Sequence, residues 1–207
     1  MVSYYVIDLL HGGIMFIPDR DDVVRVMKKK GYAFFDKGTN NLNIIGIRNN
    51  QQITNTFDDT MCCIYRSIHG WVTRYWRITT DPGFYYAEHP CNGNGTAILV
   101  PGQYRGAFII GKHKGQYTAL VQYKPVTVYR DRNKDHTIDT GRTETGMFGI
   151  NIHKAGRKSI QVDRWSAGCQ VFAVEKDFND FMKLCDTSSI YYGPVFTYTL
   201  LEQKDFD

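Results

Sequence analysis

Residues 148–153 carry the sequence FGINIH, and residues 165–170 carry WSAGCQ. Apolar residues dominate 148–153 and 169–174, and short apolar runs of this kind are typical of buried β-strands. His153 ends the first predicted strand, Cys169 begins the second, and a basic loop at residues 154–163 lies between them. Because both residues border the same loop, we expect their side chains to meet across it.

A cysteine and a histidine in contact have a defined chemistry. A thiol attacks a carbonyl best as its thiolate, but a free cysteine with a pKa of about 8.5 is mostly protonated at neutral pH. A nearby imidazole can take that proton and later return one to a leaving amine. The small Ala167 and Gly168 leave room for a substrate carbonyl and offer backbone N–H groups to its oxyanion. The sequence therefore predicts a cysteine acyl-transfer site, with Cys169 as nucleophile and His153 as base; the alternative is a buried structural cysteine and an unrelated histidine.

The rest of the chain predicts a mainly antiparallel β domain with a few short helices. Aromatic and β-branched residues favour strands, and Tyr and Phe are abundant. We predict strands at residues 4–10, 43–48, 62–65, 71–79, 97–100, 105–111, 117–123, 126–129 and 191–201, and turns at Gly12-Gly13 and 80–83. Helical spacing and end charges predict helices at residues 21–30 and 175–185. Residues 49–60 and 130–146 are polar and are expected to be loops.

Composition limits the class of protein. A chain of 207 residues is long enough for one domain, or one domain and a small annex. The net charge of +4 suits a weakly anionic partner such as a cell-wall polymer and does not indicate nucleic acid. The five cysteines match no disulfide framework and indicate synthesis in a reducing compartment. We expect no membrane insertion, because no run of about 18 apolar residues occurs.

Four residues of the site carry a resemblance to a known family. Ser166-Ala167-Gly168-Cys169 resembles the Ser-x-Gly-Cys core of the L,D-transpeptidase catalytic domain, also called YkuD-like, and His153 takes the position of that family's upstream histidine. Val100-Pro101-Gly102 lies where the family has a Pro-Gly turn, and residues 96–172 are similar to phage and Bacteroidetes proteins of this superfamily. The resemblance implies a β-sandwich or barrel of L,D-transpeptidase type, with a catalytic core at residues 91–207. Residues 1–90 match only loosely and form either part of the same domain or a small accessory region.

The resemblance also implies a substrate, the peptides of peptidoglycan. Ala167 stands where typical members have a second histidine, and the Asn-Arg that often follows the cysteine is missing after Gln170. We therefore expect a cysteine-dependent stem-peptide hydrolase, as in a phage lysin or a virion-associated wall-degrading enzyme. The alternatives are a transpeptidase that forms cross-links and a non-catalytic wall-binding or virion structural module, with other virion proteins as partners. The first residues lack the basic segment of a secretory signal, so we expect the host cytoplasm followed by the cell wall, or the virion.

Several neighbours of the pair are candidates for substrate binding. Arg157 and Arg164 flank the loop and suit the carboxylates of a stem peptide, although a solvated basic loop explains them equally well. Tyr104 and Trp165 are candidate walls of a cleft or members of the core. Ser166 either orients His153 or caps the turn at the end of the loop.

An acidic loop precedes the site. Oxygen-bearing residues recur at alternate positions, as at the start of an EF-hand calcium loop. These residues are Asp131, Asn133, Asp135, Thr137 and Asp139. His136 replaces the turn glycine, and Arg142 stands where a bidentate Glu belongs. The loop therefore predicts either a structural Ca²⁺ or a solvated turn, whereas the acyl-transfer chemistry itself needs no cofactor.

The remaining histidines predict no further site. His113 lies between Lys112 and Lys114 in a predicted hairpin turn, where we expect it to be exposed and without a role. His89 and Cys91 suggest zinc, but the Cys-x₂-Cys spacing is absent, which disfavours a zinc site.

Overall fold

The computed structural model describes residues 5–8, 13–51 and 54–207, and the side chains of residues 5–8, 13 and 14 are left aside. Its strands are β1 (Tyr5–Asp8), β2 (Gly13–Phe16), β3 (Asn43–Arg48), β4 (Asp59–Ser67), β5 (Gly70–Thr79), β6 (Thr96–Leu99), β7 (Gly102–His113), β8 (Tyr117–Gln122), β9 (Val126–Asp131), β10 (Thr143–Gly146), β11 (Ile152–Lys154), β12 (Gln170–Phe172) and β13 (Val195–Glu202). Its helices are α1 (Arg20–Lys29), α2 (Phe84–Glu88), α3 (Glu175–Tyr192) and a 3₁₀ turn at Gln203–Phe206. A mainly β fold with few helices is therefore confirmed. The predicted turn at Gly12-Gly13 and the ends of the first predicted strand lie outside the described residues.

Eight strands form a closed barrel in the order β11-β12-β5-β4-β3-β13-β7-β8. The β11–β12 and β13–β3 pairs are parallel, and the other pairs are antiparallel. Side chains fill a barrel of this size, and the interior contains Met61, Ile78, Phe108, Phe172 and Tyr198. Because β3, β4 and β5 belong to this barrel, residues from the first 90 build the same core as β11 and β12.

Strand β3 is buried on both faces, which explains its continuous apolar run. Ile44 faces the barrel interior, whereas Ile45 and Ile47 contact a second apolar cluster that includes Val23 and Met27 of α1. Helix α1 begins after Asp19, whose side chain accepts a hydrogen bond of 2.9 Å from the Asp22 N–H, a common N-cap. The helix therefore covers the outer face of β3, so both faces of this strand are buried.

Helix α3 packs on the barrel core through an aromatic cluster. Phe178 and Phe181 contact Phe172 of β12, with ring centroids 5.6 and 5.1 Å apart. The prediction that the helix stops at Cys185 is wrong, because it continues to Tyr192 and ends at Gly193, whose φ is 80°. The last strand consequently begins at Val195 and not at residue 191, because residues 186–192 form solvated helical turns without an apolar stripe.

A separate three-stranded sheet, β10-β9-β6, lies beside the barrel. Strand β10 falls within residues 130–146, where a loop was predicted, because an exposed edge strand carries no apolar alternation. Two other predictions need correction, because residues 148–151 are not part of β11 and β4 begins inside the predicted loop 49–60. Helix α2 was not predicted. No described helix is long and apolar enough to cross a membrane.

Candidate active site

Two parallel strands bring the predicted pair to one face of the barrel. His153 is opposite Val171 in the pairing of β11 with β12, and the Gln170 N–H donates a 2.9 Å hydrogen bond to the Asn151 carbonyl. Side chains alternate along a strand, so Ile152 faces the interior while the residues on either side of it face outward. Cys169, two residues before Val171, packs on the outer apolar cluster that contains Val171. His153 and Cys169 therefore lie on the same outer face of adjacent strands.

Cys169 is half-buried at the end of a tight turn. Its sulfur accepts a 3.4 Å hydrogen bond from the Asn151 N–H and donates one of 3.5 Å to the Gly149 carbonyl. Burial raises the pKa of Cys169 to about 11, although the Asn151 N–H and the charge of Lys114 lower it. The resting thiol is consequently protonated at neutral pH and needs a base before it can attack.

The turn before Cys169 depends on Ser166 and Gly168. The Ser166 hydroxyl donates to the Cys169 carbonyl at 2.9 Å and accepts from the Gly168 N–H at 3.1 Å. Gly168 has a φ of 111°, and a Cβ placed there would lie 1.8 Å from the Ala97 carbonyl oxygen. Only glycine fits this position. Ser166 thus caps the turn, which was one of the two alternatives, and its hydrogen bonds do not involve His153.

His153 is buried and held in one tautomer. Its Nδ1 lies 2.8 Å from the Lys154 carbonyl oxygen, which can only accept, so Nδ1 carries the proton and Nε2 the basic lone pair. The Tyr117 hydroxyl lies 3.3 Å from both Nδ1 and the same carbonyl oxygen. Burial, together with His113 and Lys114, lowers the pKa of His153 to about 3. The imidazole is therefore neutral at pH 7, as a general base must be.

His113 is part of the site, contrary to the expectation of an exposed turn. Strand β7 extends to His113, which is 6% exposed and stacks on His153 with ring centroids 4.1 Å apart. Asn151 accepts the Gln122 N–H through Oδ1 at 2.9 Å, so its Nδ2 donates to His113 Nδ1 at 3.0 Å. This bond places the His113 proton on Nε2. The flanking lysines suggested a turn, and the local sequence gave no sign that the strand continues.

Gln122 holds the segment that carries the Cys169 contacts. Its Oε1 accepts the N–H groups of Phe148 and Ile150 at 3.0 and 3.1 Å, and its Nε2 donates to the Gly146 carbonyl at 2.8 Å. This buried amide holds residues 146–150 in place, although residues 148–151 are not part of a strand. Sequence patterns did not single out Gln122, because its partners are backbone groups distant in the chain.

No hydrogen bond in the described part of the chain joins His153 to Cys169. The sulfur's two hydrogen bonds go to Asn151 and Gly149. Asn151 connects Cys169 to the pair of histidines, because its backbone contacts Cys169 and its side chain contacts His113. In this arrangement the thiol proton points to the Gly149 carbonyl and not to His153.

A cavity of about 310 Å³ lies near the site, and its lining includes Phe148, Ala167 and Cys91 but not Cys169. Arg130 forms part of its wall, with Nε bonded to Glu144 at 2.7 Å and Nη1 bonded to the Gly95 carbonyl at 3.1 Å. Its guanidinium lies 4.7 Å from the centroid of the Phe148 ring. Among the described residues Nη2 has no partner, so this donor remains for an anionic group in the cavity.

No similar protein adds information about this site. No family model, curated protein or solved structure matches the chain. The resemblance to L,D-transpeptidases therefore rests on the sequence positions of His153, Ser166, Gly168 and Cys169.

The predicted substrate-binding residues lie at different places. The Tyr104 hydroxyl donates to the Val100 carbonyl at 2.6 Å, and its ring packs against the barrel core, away from the cavity lining. Trp165 is 46% exposed. Arg164 lies 3.8 Å from the centroid of the Tyr85 ring, and Arg157 lies near Glu175, whose pKa it helps to lower after the larger effect of Lys154.

No three His, Cys, Asp or Glu side chains in the part of the chain that the structure describes converge as a metal site. The predicted loop ligands, Asp131 to Asp139, follow β9 and precede β10.

Proposed function

We propose that the protein is a cysteine-dependent hydrolase of peptidoglycan stem peptides, with a fold of L,D-transpeptidase type. The observation that supports this most is the neutral, oriented His153 on the strand next to Cys169, on the same outer face of the barrel. An Nδ1–H fixed to a backbone carbonyl leaves Nε2 as the base, which is the arrangement that a thiol nucleophile requires.

The resting state is a neutral thiol and a neutral imidazole, not an ion pair. The pKa of Cys169 is raised to about 11 and that of His153 is lowered to about 3, both mainly by burial. Proton transfer therefore accompanies the attack on substrate. In the first step, Nε2 takes the thiol proton while Sγ bonds to the amide carbon and the carbonyl electron pair moves to oxygen.

The oxyanion has one well-placed donor. The Gly168 N–H is already bonded to Ser166, whereas the Cys169 N–H has no acceptor among the described residues. We assign the oxyanion to the Cys169 N–H. Collapse expels the amine, which takes the proton from His153, and leaves a thioester. Water then attacks the thioester, gives its proton through His153, and releases the acid and the free thiol.

The cavity next to Ala167 suits the acidic part of such a substrate. Stem peptides carry free carboxylates, and Arg130, whose Nη2 has no partner among the described residues, lines the cavity. Its other donors are fixed by Glu144 and Gly95, so the guanidinium is held in place before substrate binds. Arg130 is therefore a better candidate than Arg157 or Arg164 for binding a substrate carboxylate, because those two arginines border other parts of the loop.

A non-catalytic wall-binding or virion module remains the second candidate, favoured by the hydrogen bonding of Cys169 to Gly149 and Asn151. Incubation of the protein with muropeptides in H₂¹⁸O separates the candidates by mass spectrometry. The proposal expects cleaved peptides with one ¹⁸O in the new carboxylate, and loss of cleavage in Cys169→Ala and His153→Gln but not in the control His69→Ala, which changes an exposed loop histidine. A new amide without ¹⁸O would indicate cross-linking, and unchanged muropeptides of several stem chemistries would support the non-catalytic module.

A further inference from the structure

Asp131, at the end of β9, is a buried carboxylate without a counter-charge. The residue is 2% exposed, and neither of its oxygens has a hydrogen bond of standard geometry. The donors that act on it are the backbone N–H groups of Asn133 and Lys134 in the following turn. A carboxylate removed from water without hydrogen bonds or a counter-charge is unfavourable, so such groups are protonated or bound to a cation. The Asp131 carboxylate is therefore expected to hold a proton or a cation from solution.

The surroundings of Asp131 are acidic rather than basic. The carboxylates of Asp139 and Asp135 are near enough to Asp131 to act on it electrostatically. The neighbouring cations are engaged elsewhere, since Arg130 is bonded to Glu144, and Arg132 to both oxygens of Asn94. Among the described residues, no protein cation therefore balances the buried Asp131 carboxylate.

The residues after Asp131 form turns like those of an EF-hand calcium loop. Asn133 accepts the Asp135 N–H at 3.1 Å, and Asp135 accepts the Thr137 N–H at 2.9 Å. In an EF-hand loop, positions 1, 3 and 5 supply side-chain oxygens, position 7 a carbonyl, and position 9 often binds through water. These positions correspond to Asp131, Asn133, Asp135, Thr137 and Asp139. A water-mediated Asp139 also explains why three carboxylates do not converge directly in the described structure.

The departure at position 6 is accommodated by the structure. His136 has a φ of 69°, the left-handed conformation for which EF-hand loops use glycine. Its ring stacks on Phe84 with centroids 4.0 Å apart, and its Nε2 lies 2.8 Å from a Glu88 oxygen. The His136 carbonyl also accepts the Thr54 N–H at 3.0 Å. These contacts offset the strain that a side chain brings to this conformation.

The departure at position 12 affects the affinity. Arg142 supplies no bidentate carboxylate, and its carbonyl accepts the Arg130 N–H at 3.0 Å next to the pairing of β9 with β10. With fewer protein oxygens, water completes the coordination, so we expect binding in the range of about 10⁻⁴–10⁻³ M, as in extracellular calcium modules.

We propose that residues 131–139 bind one Ca²⁺ through the side chains of Asp131, Asn133 and Asp135, the Thr137 carbonyl and a water held by Asp139. The ion neutralises Asp131 and ties the end of β9 to the loop that leads into β10. This site is independent of the proposed hydrolase function, because its test measures stability and binding, not cleavage.

Thermal unfolding of the full chain with EDTA and with about 10 mM Ca²⁺ tests the site. At Ca²⁺ well above the dissociation constant the midpoint rises by about 5–10 °C, and calorimetric titration shows one ion per chain. Mg²⁺ gives a smaller rise, because it releases its waters reluctantly. The control Asp36→Asn, an exposed carboxylate elsewhere, keeps the full shift.

The variant Asp131→Asn distinguishes a cation site from a structural role of the carboxylate. Without Ca²⁺ the variant unfolds at the same or a higher temperature than the wild type, because it removes an unpaired buried charge. With Ca²⁺ it shows no rise. Asp139→Asn keeps a reduced rise. An absent calcium shift in the wild type, or an equal shift in Asp131→Asn, overturns the proposal.

Discussion

His113 stacks on His153, with the ring centroids 4.1 Å apart and the planes inclined by 24°. Two imidazolium ions cannot occupy this arrangement without strong repulsion, so each ring favours the neutral form of the other. The bond from Asn151 to His113 Nδ1 keeps His113 in place. The stack therefore helps to keep the His153 imidazole neutral at mildly acidic pH, as the proposed base must be.

Replacement of His113 tests this effect directly. In His113→Ala the pKa of His153 rises from about 3 toward its ordinary value of 6.5, because both burial and the neighbouring ring are reduced. NMR titration of the histidine rings measures the change. The control His69→Ala removes an exposed loop histidine and leaves the His153 pKa unaltered. An unchanged His153 pKa in His113→Ala would show that burial by other residues is sufficient.

Acid should destabilise the fold through His153. Its pKa is lowered from 6.5 in the unfolded chain to about 3 in the folded one, so the unfolded state binds more protons between these values. The free energy of unfolding that this residue contributes is complete above pH 6.5 and decreases as the pH falls toward 3, by up to about 4 kcal/mol.

Denaturant unfolding at several pH values, for the wild type and for His153→Gln, isolates this contribution. Other buried acids, among them Asp59 with its raised pKa, have the opposite sign, and the difference between the two proteins removes them. The wild type should lose stability relative to the variant as the pH decreases. A constant difference from pH 7 to pH 4 would contradict the neutral buried imidazole.

Ser166 should affect stability more than the chemistry of His153. Ser166→Ala removes two hydrogen bonds of the turn and leaves the buried Gly168 N–H without an acceptor, at a cost of about 1–3 kcal/mol. Ser189→Ala, which removes a local bond of α3, serves as the control and costs less. The pKa of His153 should not move in Ser166→Ala. A shifted His153 titration would instead support the other alternative, in which Ser166 orients the imidazole.

The strands of the barrel were predictable where burial requires apolar residues in the sequence. Strand β3 was predicted with its observed bounds, because both of its faces are apolar and polar segments flank it. Strand β10 was missed because its exposed edge position demands no apolar residues. The continuation of α3 beyond Cys185 has the same explanation, since solvated helical turns carry little periodic signal.

The candidate site was predictable only in its local part. Cys169 and His153 stand out because their spacing and the small residues near the sulfur have a chemical meaning. His113, Gln122 and Arg130 come from other strands, and their contacts lie 14 to 38 residues apart in the sequence. The roles of His113 and Gln122 depend on barrel closure, and that of Arg130 depends on the pairing of β9 with β10. Such pairings follow from the three-dimensional register of the strands, which a single sequence does not encode as a motif.

Arg130 should make Cys169 selective for anionic reagents. Iodoacetate and iodoacetamide both react with the thiolate of Cys169, so the ratio of their rates at one pH does not depend on the cysteine pKa. The unpaired Nη2 in the adjoining cavity attracts the carboxylate of iodoacetate, and Arg130→Met should lower the ratio about fivefold, as expected for a partly screened interaction of about 1 kcal/mol. Arg130→Lys keeps much of the ratio, and Arg105→Gln, an exposed arginine of β7, keeps all of it. Mass spectrometry of the Cys169 peptide gives both rates, and circular dichroism checks that each variant is folded. An equal ratio in Arg130→Met and the wild type would show that Arg130 does not bind the substrate carboxylate.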